Sequence, residues 1–92
     1  MNQRGEGEPL KARVLIVEDK AIIANNLHDR LEALGYSIAG IATSGENGIE
    51  LAAETQPDLV LMDIELPGGM DGIEAAATIR RQWGIPVVYL SG

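Results

Sequence analysis

Apolar positions along the chain switch between two kinds of spacing. Val14-Leu15-Ile16-Val17 is a short, unbroken apolar run that stops at Glu18-Asp19. Such a run predicts a strand covered on both faces, as in a parallel sheet. From Lys20 to Leu34 the spacing changes, with Ile23, Leu27, Leu31 and Leu34 recurring three and four apart. That is one face of a helix. Asp19 is placed to cap its start and Gly35 to end it. Tyr36 to Ala42 predicts a second strand, less apolar and interrupted by Gly40, and so an edge. Thr43-Ser44-Gly45 turns the chain into a second helix, from about Glu46 to Thr55, that Pro57 closes. Leu59 to Met62 is a third apolar run and ends at a charge, Asp63. Ile64 to Met70 is a loop. Gly72 to Trp83 is a third helix, with Asp71 and Glu74 at capping-box spacing and Gly84 after its end. Pro86 to Leu90 is a fourth strand, followed by Ser91-Gly92.

Strands and helices therefore alternate, which predicts βαβ units and a parallel sheet with right-handed crossovers. In such sheets ligands bind at the carboxyl ends of the strands, where the strand order switches. Three features occupy carboxyl ends: Glu18-Asp19, Asp63 and Ser91.

Composition narrows the function. The 92 residues suffice for one domain. Hydrophobic residues make up 46%, but Phe is absent and Trp83 is the only Trp, so the core must be aliphatic. Fourteen acids against 7 bases give a net charge of −7, and the only adjacent bases are Arg80-Arg81. That argues against a nucleic-acid surface and for a cation or a basic partner. No cysteine is present, which excludes disulfides, zinc thiolates and Cys nucleophiles. No apolar run is long enough to span a membrane, and Met1 to Lys11 reads as a polar, flexible lead-in without a signal-peptide core. A cytoplasmic location is the expectation.

With the first and third strands adjacent, Glu18, Asp19 and Asp63 converge. Crowded carboxylates repel unless something neutralises them. A hard divalent cation suits an all-oxygen donor set, and Mg²⁺ takes one or two carboxylates while keeping room for phosphate oxygens. A carboxylate beside Mg²⁺ can attack phosphorus and form an aspartyl-phosphate. Ser91 could donate to the phosphoryl group from the neighbouring strand.

The segments VLIVEDK, DLVLMDIELPGGMDG and PVVYLSG, in this order and spacing, resemble the receiver domain of two-component response regulators. The resemblance runs from about Arg13 to Gly92. It implies a flavodoxin-like three-layer α/β/α sandwich with strand order 2-1-3-4-5. It implies that Asp63 is the phosphoacceptor. Glu18 and Asp19 match the acidic pair that binds Mg²⁺, and the backbone carbonyl of Glu65 matches a further ligand. Ser91 matches the switch hydroxyl that reports the phosphoryl group. The implied donor is a histidine kinase or phosphotransfer protein, with transfer and loss of the phosphoryl group catalysed by the receiver itself.

Two departures stand out. The loop LPGGMDG is one residue longer than the commonest receiver pattern. Residues 12–92 correspond to a receiver lacking its fourth helix, fifth strand and fifth helix, and with them the family lysine that pairs with phosphoryl oxygens. Lys20 does not match that lysine and is not given its role.

Structural roles compete with these. Asp71 reads as a helix cap, Pro67, Gly68 and Gly69 as turn residues, His28 as a surface residue, and Trp83 and Tyr89 as packing residues. A second function is a non-enzymatic interaction module that phosphorylates poorly and forms a homodimer through an unpaired fourth strand. An aspartyl-phosphate phosphatase is disfavoured by Glu65, where those enzymes usually carry a second Asp. A dinucleotide site is disfavoured because acids, not glycines, follow the first strand.

Overall fold

The computed structural model describes residues 11–90. The lead-in expected over residues 1–11 lies outside them apart from Lys11, and Ser91 lies outside them too. Seven elements follow in order: β1 (Arg13–Val17), α1 (Ala21–Ala33), β2 (Ser37–Ala42), α2 (Gly45–Thr55), β3 (Leu59–Asp63), α3 (Gly72–Trp83) and β4 (Val87–Leu90). The sheet order is β2-β1-β3-β4 and every pairing is parallel.

β1 is the centre of the sheet. Val14, Leu15, Ile16 and Val17 are all fully buried. Alternation sends Leu15 and Val17 toward Ala52 of α2 and Ala75 and Ile79 of α3, together with Val60 and Met62 of β3. Val14 and Ile16 face Ala24 of α1. The result is three layers, with two helices on one face and one on the other. Each such aliphatic side chain contributes about 1.5–3 kcal/mol by leaving water.

Close helix-to-sheet approach depends on small residues. Gly48 in α2 lies over β1, and a Cβ there would stand 3.1 Å from Val17 Cγ2. α1 approaches through Ala24, the one residue of that helix that is buried.

The ends of the helices follow local chemistry. Asp71 Oδ1 accepts from the Glu74 backbone N–H at 2.9 Å, and Glu74 Oε1 accepts from the Asp71 backbone N–H at 3.2 Å. The predicted capping box is therefore present. Ser44 Oγ accepts from Asn47 N–H at 3.0 Å and starts α2. α1 ends in a Schellman arrangement: Tyr36 N–H donates to the Leu31 carbonyl and Gly35 N–H to the Glu32 carbonyl, both at 3.0 Å. Gly35 takes φ +100° there, a conformation costly for any residue with a Cβ.

Two expectations need correction, on Asp19 and on Tyr89. Asp19 does not cap α1; the N-cap is Lys20, and its side chain makes no capping bond. The helix starts one residue further on, which leaves the Asp19 carboxylate for the strand end. The α1 stripe is only partly covered, since Ile23 is 42% and Leu34 74% exposed. β3 is covered on both faces, with Val60 and Met62 fully buried toward α2 and α3 and Leu59 and Leu61 partly buried on the α1 side. Tyr89 is not a packing residue but lies 37% exposed on the edge strand, where its hydroxyl meets Arg80 Nη2 at 3.3 Å.

Candidate functional site

The parallel pairing of β1 with β3 aligns Val17 with Met62. The residues that follow, Glu18-Asp19 and Asp63, therefore emerge at the same end of the sheet. One carboxylate oxygen from each of Glu18, Asp19 and Asp63 falls within 4.8 Å of the others. The convergence expected from the sequence is thus present.

Each acid is held differently. Glu18 is buried, its N–H pairs with the Ala42 carbonyl of β2 at 2.9 Å, and its Oε2 accepts from the Lys20 N–H at 3.0 Å. Asp63 is buried and its Oδ1 accepts from the Glu65 N–H at 3.1 Å. Asp19 keeps 30% of its side chain exposed, yet its Oδ1 is buried and has no hydrogen-bond partner. The Lys20 Nζ lies 3.8 Å from that oxygen, within ion-pair range but beyond a hydrogen bond.

Burial pushes the Glu18 carboxyl above its ordinary value of 4.5, against the Lys20 N–H, which favours the charged form. The neighbouring charge of Asp63 pushes it further in the same direction. A cation beside Glu18 would favour its charged form and offset that push.

The donor set fits Mg²⁺. It is made of hard oxygens alone, it is compact, and one of its buried oxygens has no partner. Glu18, Asp19 and Asp63 are the side chains that would hold the ion.

Beside the acids runs a groove of about 500 Å³. Glu18, Asp63 and Glu65 line its acidic end, Ile23, Leu27 and Leu90 its apolar walls, and among the described residues Lys20 is the only cation on it. Asp63 pairs in register with Leu90, the last residue of β4. His28 is absent from the groove and instead pairs with Asp29 at 3.2 Å.

Two contributors escaped sequence reasoning. Lys20 was passed over because it matches no family position, although its adjacency to the acidic pair was a usable signal. Gly72 looked like an ordinary first helical residue. It lies against the Asp63 backbone, where a Cβ would overlap the Asp63 carbonyl oxygen and come within 2.9 Å of Ile64 Cα. No local signal marks such a contact.

Fold and site together define an α/β domain with an acidic pocket at the carboxyl ends of its central strands. The chain belongs to the response regulator receiver domain family, whose profile matches residues 14–92. It is 44% identical over 79 residues to the transcriptional regulatory protein PdtaR of Mycobacterium tuberculosis, covering 86% of this chain and 38% of that protein. Among solved structures, the receiver domain of a modulated diguanylate cyclase from Desulfovibrio desulfuricans superposes with a TM-score of 0.84. The two are 37% identical, over 88% of this chain and 65% of that one. The anti-anti-sigma factor PhyR of Bartonella quintana, crystallised with the anti-sigma factor NepR, superposes with a TM-score of 0.80 at 31% identity, over 87% of this chain and 33% of that one. The chain thus spans little more than a third of the length of PdtaR. PhyR's partner is of a kind the sequence reading did not anticipate. Among the described residues, no helix is long and apolar enough to cross a membrane.

Proposed function

We propose that this chain is a phosphoacceptor receiver, beginning near residue 12, that takes a phosphoryl group onto Asp63 from a histidine kinase or phosphotransfer protein in the cytoplasm. The observation that carries this reading is the clustering of Glu18, Asp19 and Asp63 oxygens within 4.8 Å around a buried, unpartnered Asp19 Oδ1. In the transfer, the Asp63 carboxylate forms an O–P bond as the donor's bond to phosphorus breaks, and that bond's electron pair leaves with the donor. Glu18, Asp19 and Asp63 would hold the ion, and the Glu65 carbonyl would add a ligand. Bound Mg²⁺ supplies positive charge against the phosphoryl oxygens. The Glu65 N–H holds Asp63 Oδ1 and so orients the nucleophile. Ser91 is the switch hydroxyl that reads the product.

Incubation with Mg²⁺ and a small phosphodonor should add one phosphoryl mass to the intact protein, and Asp63→Asn should abolish it. A folded sample that stays unmodified would count against the proposal.

One observation favours a second reading, association through the edge of the sheet. Among the described residues β4 pairs on one side only, and its Val88 is 49% exposed. Unpaired apolar edges invite pairing. Sedimentation of a concentrated sample as a monomer would remove this reading's support.

A further inference from the structure

Lys20 stands apart from its surroundings. Its side chain is 63% exposed, and it forms no capping bond for the helix it begins. Its structural service to the site is made by the backbone, whose N–H fixes Glu18 Oε2 at 3.0 Å. Its Nζ nonetheless sits 3.8 Å from Asp19 Oδ1, the buried oxygen that nothing else satisfies. Among the described residues it is also the only cation lining the groove shared with Asp63 and Glu65.

The geometry points to Lys20 as a tethered counter-ion that occupies the metal-free acidic pocket through Asp19 and competes with the divalent cation for it. A divalent ion bound by Asp19 and Asp63 would repel an ammonium at this distance, and the ammonium lowers the negative potential that draws the ion in. Binding therefore pushes the Lys20 head group away from Asp19 Oδ1. Lys20 is a positioning residue here: it sets how tightly the pocket takes a cation, through Asp19. This inference rests on the pocket being a cation site, which the same experiment tests separately.

The test is direct titration of the whole chain with Mg²⁺ by calorimetry, for wild type, Lys20→Gln and Lys20→Arg. Gln keeps the backbone N–H on Glu18 and removes only the charge. Because Lys20 is exposed, solvent weakens its effect, and the expected gain in Mg²⁺ affinity for Lys20→Gln is roughly two- to tenfold. Lys20→Arg should bind as wild type does. The Gln gain should shrink as salt is raised. Equal or weaker binding by Lys20→Gln, with wild type binding normally, overturns the counter-ion role alone. Absence of Mg²⁺ binding by folded wild type overturns the cation-site reading and this role with it.

Discussion

Gly72, the first residue of α3, is packed directly on the backbone of Asp63, the last residue of β3. The Gly72 N–H donates to the Ile64 carbonyl at 3.0 Å, and a Cβ at Gly72 would collide with the Asp63 carbonyl. The eight residues between the two positions close on themselves, so the helix start braces the strand end that carries the nucleophile.

Gly72→Ala should therefore lower stability by at least about 2 kcal/mol, because backbone atoms cannot yield as a flexible side chain would. Denaturant unfolding should show a reduced midpoint. The phosphoryl adduct should fall as well, since Asp63 must shift to relieve the clash. A Gly72→Ala protein with the wild-type midpoint would contradict the close contact.

Asp71, one residue earlier, separates architecture from chemistry. Its carboxylate accepts from Glu74 N–H at 2.9 Å and caps α3. Asp71→Ala should cost about 1 kcal/mol, read as a lowered unfolding midpoint. At a temperature where both proteins are folded, the yield of phosphoryl adduct should stay at the wild-type level. A lost adduct in a folded Asp71→Ala protein would move Asp71 into the site.

The pH dependence of the metal-free chain should carry the signature of Glu18. Burial raises its folded pKa above 4.5, so between 4.5 and the folded value the folded chain holds a proton that the unfolded chain has released. Its contribution is complete below the unfolded value and is lost as pH rises through the folded one. In chelator, Glu18→Gln should therefore gain stability relative to wild type as pH climbs from about 4.5. Unfolding midpoints measured across that range check this. A difference that is constant with pH, or a Glu18→Gln protein that loses stability relative to wild type as pH climbs, would contradict it.

Much of this was legible in the sequence, for identifiable reasons. α3 was read at its observed bounds because its signals are local: a reciprocal Asp71–Glu74 cap and Gly84 in a left-handed turn at φ +67°. β1 was read because all four apolar residues are buried, which leaves no alternation to mislead. The extent of burial on α1 was not legible. Periodicity names a face but not how much of it the sheet covers, and Ile23 and Leu34 on that face stay exposed. The exposure of Tyr89 was not legible either, since no local signal says which face of β4 the helices leave open. Asp19 was ambiguous because a cap and a ligand both need a carboxylate at a strand-to-helix junction. Pairing of β1 with β3, a contact between distant residues, decided against the cap. The steric demand on Gly72 has the same long-range origin.

The central claim is that Asp63 receives the phosphoryl group, and localising the adduct tests it most directly. After incubation with Mg²⁺ and a small phosphodonor, borohydride reduction converts an aspartyl-phosphate to homoserine, which peptide mass spectrometry can place. The account predicts homoserine at position 63 and at no other acid, with none formed in Asp63→Asn. Homoserine at another acid, or none at position 63 in a folded sample that binds Mg²⁺, would contradict it.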